Sequence, residues 1–289
     1  MELEHWSAEL VLDARADLGE GPLWDARTGE LLWVDIMVGQ IHRFDPESGT
    51  DRAYDVGQPV SSIVPLAAGG YVVTLRDGFA LWDGETTTLV APVEPGRREI
   101  RMNDGACDSR GRFWAGTMHI DYRRGEGALY RLDESRTAEV LLSGVTISNG
   151  IAWSLDETTM YYVDTPTQTI DAFDFDPETG AITDRRLLVK IDAEAGSPDG
   201  LVVDAEGCIW VALWDGWAVR RYSPEGKHLG TVAVPCARVT KPAFGGPDLA
   251  DMFITTASPE RPNPSQPYAG GLFHARPGVR GLAPHAYAG

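Results

Sequence analysis

Cysteine is scarce in this chain. Its three copies, Cys107, Cys208 and Cys236, are odd in number and far apart in 289 residues. That argues against a disulfide framework or a cysteine zinc cluster and points to a reducing, cytoplasmic setting. No apolar run approaches ~18 residues, so no membrane-spanning helix is expected. The opening "MELEHWSAELVLD" lacks the basic and apolar regions of a secretory leader. Basic residues are outnumbered, with 25 Lys and Arg against 43 Asp and Glu and a formal charge of −18. Nucleic acids and anionic membranes need clustered Lys and Arg, so neither is expected as a partner. The six histidines show no ligand spacing such as HxxxH, and a GxSxG elbow is missing. A histidine-based zinc site and a serine-esterase route are thereby disfavoured. Long amphipathic helical periodicity is absent too.

What the chain does contain is a repeat. Hydrophobic residues make up 43% of it, ordinary for a packed globular protein. Six segments share one pattern: a polar opening residue, often followed by Gly or Pro, a few apolar residues, a turn, then a short aromatic-rich strand. They are "EGPLWDARTGELLWVDI" from Glu20, "SSIVPLAAGGYVVTL" from Ser61, "NDGACDSRGRFWAGTM" from Asn103, "NGIAWSLDETTMYYVDT" from Asn149, "DGLVVDAEGCIWVALW" from Asp199 and "KPAFGGPDLADMFITTA" from Lys241. Successive openings lie 41, 42, 46, 50 and 42 residues apart. Four copies continue into a third strand ending in turn chemistry: "IHRFDPESG", "LYRLDES", "IDAFDFDPETG" and "VRRYSPEG". Short strands repeating at this period predict an all-β, six-bladed propeller of four-stranded antiparallel blades, one domain spanning 1–289. The early strand "AELVLDA" (8–14) is expected to pair beside "GGLFHARP" (270–277) in the last blade, closing the ring and covering a strand edge.

Asn149-Gly150 reads locally as a hairpin turn. The repeat suggests another role. In a propeller the innermost strands surround one channel, so the six opening residues form a ring at one mouth. A pure turn role would favour Asn, Asp or Gly throughout, whereas Glu20, Ser61, Asn103, Asn149, Asp199 and Lys241 differ blade by blade. Glu20, Asn149 and Asp199 offer only oxygen donors, a set suited to a hard divalent cation: Ca, Mg or Mn, with Fe(II) and Zn also compatible. Taken singly, Glu20 is also a plausible surface residue and Asp199 a plausible turn former. Arg101, two residues before Asn103, falls on the same side of its strand and has the donors to hold substrate oxygens. Its alternative is an ordinary surface ion pair. His119 in "GTMHIDYRRGEG" is placed where a loop leaves the third blade, either contacting substrate or solvated. Trp33, Trp114, Tyr161 and Trp210 recur at one position and are read as packing between blades, while Trp214 and Trp217 break that pattern near the mouth.

These residues resemble the gluconolactonase family, the sugar lactonases that include regucalcin (the senescence marker protein). The likeness covers nearly the whole chain, through "LGEGPLW", "LLWVDI", "RMNDGACDSRGRFWAGTM", "ISNGIAWSLD", "YYVDT", "SPDGLVVDAEGCIWVALW" and "FGGPDL". Bacterial aldonolactonases of pentose oxidation look similar through "GTMH", "ALWDGWAV" and "VTKPAFGGPDL". The resemblance implies a six-bladed propeller with one catalytic divalent metal at the channel mouth. It implies Glu20, Asn149 and Asp199 as metal ligands, Asp199 as general base, and Arg101 and Asn103 as substrate-binding residues. His119 and Lys241 join them as substrate-side candidates. Animal members lack a lysine at the position of Lys241, so their substrate preference does not transfer. The expected activity is metal-dependent hydrolysis of a sugar-acid lactone (xylono-, arabinono-, galactono- or gluconolactone) by a monomer or weak homodimer. The alternatives are a phosphotriesterase-like hydrolase on the same site and a non-catalytic calcium-binding propeller.

Overall fold

The structure, a computed structural model, describes residues 3–259, 261 and 263–289. It is a ring of six antiparallel sheets, as the repeat predicts. The innermost strands of blades one to six are Gly19–Asp25, Val60–Pro65, Ile100–Cys107, Ser148–Trp153, Ser197–Val203 and Val239–Gly245. Each packs beside the next, and the sixth returns to the first. Three more strands extend outward in five of the blades and four in blade five. Two single 3-10 turns, Thr165–Thr167 and Ala193–Ala195, are the only helical elements among the described residues.

The predicted closure is present. Glu9–Leu12 pairs antiparallel with Leu272–Ala275, with Leu10 opposite Phe273. A second closing strand was not expected: Glu4–Ser7 runs parallel to His228–Ala233 as a fifth strand of blade five. Trp6 thereby packs 5.6 Å from Trp210, centroid to centroid. At the other end of the chain, the last ten residues cross the underside of the ring. Gly281 bridges to Asp204, Tyr287 N–H donates to Pro65 O at 2.8 Å, and Ala288 N–H donates to Gly111 O at 3.0 Å.

The repeated turns follow side-chain chemistry. In "DPESG" Asp45 accepts from Glu47 N–H (2.9 Å) and Ser48 Oγ (2.7 Å), and in "DPETG" Asp176 makes the same pair with Glu178 and Thr179 at the same distances. Such turns mimic a backbone turn and fix the reversal. The aromatics at the shared repeat position are core: Trp33, Trp114, Tyr161 and Trp210 are buried. Acids just past the innermost strands hold two of their indoles. Asp108 accepts from Trp114 Nε1 at 2.9 Å and Asp204 from Trp210 Nε1 at 2.8 Å. A buried Trp keeps its polar N–H satisfied this way in blades three and five, whereas Trp82 and Trp153 bury their indole N–H without a partner.

Candidate functional site

Every innermost strand breaks register at its opening residue or directly beside it. In blade four Ser148 pairs with Asp164 and Ile151 with Tyr162, leaving Asn149 and Gly150 opposite Val163 alone. In blade five Asp199 and Gly200 face Ala212, and in blade three Asn103 and Asp104 face Gly116. In blade one the slip follows Glu20. Asn149-Gly150 is therefore a β-bulge within a channel strand, not a hairpin turn. Bulges re-aim side chains and recur beside active sites. The glycines serve close packing: a Cβ on Gly150 would lie 2.8 Å from Asp199 O and 2.6 Å from Leu201 Cγ, and one on Gly200 would lie 2.5 Å from Lys241 Cβ.

The bulges gather seven polar residues. Glu20, Arg101, Asn103, Asp104, Asn149, Asp199 and Lys241 are each at most 7% exposed, so their charges and hydrogen bonds act away from bulk water. Arg101 Nη1 donates to Asn103 Oδ1 at 2.6 Å. Asn103 Nδ2 donates to Asn149 Oδ1 and to Ser148 O, both at 2.8 Å. Asn149 Nδ2 donates to Thr165 Oγ1 at 2.7 Å, and that hydroxyl donates to Pro198 O at 2.8 Å. This relay fixes both amides and links blades three, four and five. Arg101 is on the expected side of its strand and is not a surface ion pair.

The acids are less well satisfied. Glu20 Oε2 accepts from Gly21 N–H at 2.8 Å. Asp104 Oδ1 accepts from Gly105 N–H at 2.7 Å and from Lys241 Nζ. Asp199 Oδ1 and Asp104 Oδ2 are buried without a hydrogen-bond partner. Burial, then the Asp104 charge, pushes the Glu20 carboxyl up to about 8, against the opposing charges of Lys241 and Arg101. Asp199 is raised by burial, then by Glu20 and Asp104. Burial lowers Arg101 to about 10, although Tyr122, Glu20 and Asp199 hold it up. Three carboxylates thus face one another with too little positive charge among them. Buried acids so placed either hold their protons or take a cation between them.

The residues fit a hard divalent ion with open positions. Glu20, Asn149 and Asp199 sit on three different blades, all donors are oxygens, and one Asp199 oxygen is orphaned. Among the described residues, no three His, Cys, Asp or Glu side chains are grouped to hold a metal, so the set supplies two carboxylates and one amide oxygen at most.

The remaining candidates fall differently. Ser61 Oγ bonds Thr74 Oγ1 of its own blade at 2.8 Å and takes no part in the relay. His119 is not a solvated loop residue. It ends the strand Phe113–His119, is 2% exposed, and accepts at Nδ1 from Asp121 N–H at 3.0 Å. It pairs beside Ile100, next to Arg101, without a hydrogen bond to the relay. Lys241 reaches Asp104 and lies 3.5 Å from Gly105 O. Trp214 packs under the Arg238 guanidinium at 4.9 Å, and Trp217 is exposed with a φ of 59°. The residue sequence reasoning missed is Asp104. The signal was present, since Asp104-Gly105 repeats the Asp199-Gly200 dipeptide. Beyond the ring, a cavity of about 430 Å³ occupies the channel, lined by Trp153, Leu155, Phe244 and Leu282 among others.

Comparison with known proteins identifies the family and agrees with the fold. Residues 18–258 match the model of the SMP-30/Gluconolactonase/LRE-like region. The chain is 40% identical to regucalcin of Gallus gallus, over 97% of this chain and 98% of that protein. It is 37% identical to YvrE of Bacillus subtilis (strain 168), named as a sugar lactone lactonase, over 98% and 99%. A solved structure from Agrobacterium tumefaciens strain C58, described as the calcium-binding protein regucalcin, superposes with a TM-score of 0.94 at 29% identity, covering 99% of both chains. Full-length identity at this level, with a family match across all six blades, shows that the chain belongs to the SMP-30/gluconolactonase/LRE-like family.

Proposed function

We propose that this protein hydrolyses a sugar-acid lactone to the aldonic acid, using one divalent cation held by Glu20, Asn149 and Asp199. Family membership and full-length similarity to a protein named as a sugar lactone lactonase support an enzyme of this hydrolase class. The observation that carries the metal-dependent reading is the convergence of Glu20 and Asp199, buried and mutually repelling, on an amide locked by Asn103.

When bound, the cation supplies Lewis acidity that polarises the lactone carbonyl and stabilises the charge developing on it. The protein's own residues do the rest. The orphaned Asp199 oxygen accepts a proton from the attacking water as the C–O bond forms. Arg101 uses N–H groups not engaged by Asn103 and Met102 O to hold substrate hydroxyls, and Asn103 keeps the Asn149 oxygen turned to the ring. His119 carries the 120–126 loop to the substrate side of the mouth. The ring C–O bond then breaks, the leaving oxygen takes up a proton, and the product is a hydroxy acid. Burial keeps competing water away from these groups.

Pentono- and hexonolactones are the substrate class. Manganese, calcium, magnesium, Fe(II) and zinc all suit the donor set. A second reading, a propeller that binds calcium without catalysis, is favoured by the description of the Agrobacterium relative. The three cysteines are buried thiols, which supports a reducing compartment such as the cytoplasm. Among the described residues no helix is long and apolar enough to cross a membrane. The test is a proton-release screen over pentono- and hexonolactones, metal-free and with each cation. Hydrolysis only with metal supports the proposal; ion binding with no turnover on any lactone supports the second reading.

A further inference from the structure

Blades three and six lie opposite one another in a ring of six. Asp104 belongs to the third and Lys241 to the sixth, so their ion pair spans the channel axis. Both side chains are buried, at 1% and 7% exposure. The lysine stem lies over Gly200, beside Asp199, and any Cβ there would strike it. Lys241 also lines the 430 Å³ cavity beyond the ring, so the pair forms the floor between the polar mouth and that chamber. Its positive charge acts on both Glu20 and Asp199.

A third carboxylate beside two carboxylate ligands would ordinarily join them around a cation. Asp104 is instead turned across the channel and neutralised. We propose that Lys241 is a built-in counter-cation that holds Asp104 out of the cation's coordination and sets the affinity of the site, keeping the ion bound by only three side chains. This rests on reading Glu20, Asn149 and Asp199 as the ligands. It assigns Lys241 a positioning role exerted through Asp104, one that leaves coordination positions for water and substrate.

The test is a charge cycle read by calorimetric titration with calcium and with manganese, on intact protein and without substrate. Lys241→Met removes a positive charge from beside the ion and frees a carboxylate, so Kd falls by about ten-fold or more. Asp104→Asn leaves the lysine unneutralised and raises Kd by a similar factor. On the Asp104→Asn background the lysine change frees no carboxylate, so Lys241→Met tightens binding clearly less there than in the parent, and the double variant stays above the parental Kd. This non-additivity is the coupling between the pair, and equal tightening on both backgrounds removes the hold on Asp104 and overturns the proposal. Lys241→Arg, which keeps charge and pairing, stays within a few-fold of the parent and serves if the methionine variant fails to fold. Melting curves without metal confirm that each variant is folded. If the parent binds and Lys241→Met binds no tighter, the counter-cation role is wrong while the ligand assignment stands. If the parent binds neither ion, and Glu20→Gln changes nothing, the ligand assignment falls and takes this inference with it.

Discussion

Asp199→Asn separates the two roles assigned to one carboxylate. The side chain is 6% exposed, Oδ1 has no hydrogen-bond partner, and the Glu20 and Asp104 charges oppose its ionised form. The amide keeps the size and one oxygen donor, so a cation still binds, more weakly. It cannot accept a proton, and a positioned general base contributes about two to four powers of ten in rate. That range corresponds to roughly 3–5 kcal/mol of transition-state stabilisation. The effect on the fold has the opposite sign. Removing one of three mutually repelling buried charges relieves the metal-free protein, by about 1 kcal/mol if most of the repulsion is already damped by Lys241 and Arg101, which is a melting rise of ~2–4 °C. Initial rates come from a pH indicator, because the product acid releases a proton. Calcium or manganese affinity comes from titration and stability from calorimetry. Asn149→Asp is the control, adding charge at the ring without a base at position 199. A variant that binds the cation and turns over lactone near the parental kcat refutes Asp199 as base.

Other outcomes follow from the same geometry. Chelation abolishes lactone hydrolysis but leaves the protein folded, because the six blades have their own cores. The melting shift matches the lost binding term, roughly 2.7 kcal/mol at a hundred-fold excess of ion over Kd, and is read by calorimetry with and without chelator. Gly150→Ala places a methyl against Asp199 O and Leu201, costs about 1–3 kcal/mol in denaturant melts, and lowers kcat by on the order of a hundred-fold as Asp199 shifts. Asp204→Ala removes the acceptor for Trp210 Nε1, Arg221 and two backbone N–H groups. The buried guanidinium keeps only exposed Glu206 as a close partner, so stability falls by about 3–5 kcal/mol while turnover per folded molecule is unchanged.

The blades were legible because what defines them is local. Turn acids bond within three residues, as Asp45 does with Ser48, and the buried aromatic recurs once per repeat. Ring closure by residues 9–12 was legible because an unpaired strand and an incomplete last blade imply each other. The parallel strand Glu4–Ser7 was not, since nothing in "EHWS" names a partner at the other end of the sequence. The final segment across the underside escaped for the same reason. Its hold on Pro65 and Gly111 is made by backbone groups, which carry no sequence signal.

The site shows where period-2 reasoning stops. Alternation along a strand puts Arg101 and Asn103 on one side, and that holds. Carried one residue further it sends Asp104 to the opposite face, away from the ring. The bulge cancels that step: two residues answer to Gly116, and both Asn103 and Asp104 turn inward. The same irregularity in blades four and five sets Asn149 and Asp199 against the channel while Gly150 and Gly200 let the next strand close in. The dipeptide that locally signals a hairpin is therefore the device that builds the ring. A small residue following a polar one serves both purposes, and only recurrence at blade spacing tells them apart. Asp104 then needs its own counter-charge, because four blades now deliver three carboxylates and two amides to one buried ring. Lys241, from the sixth blade, reaches across to supply it.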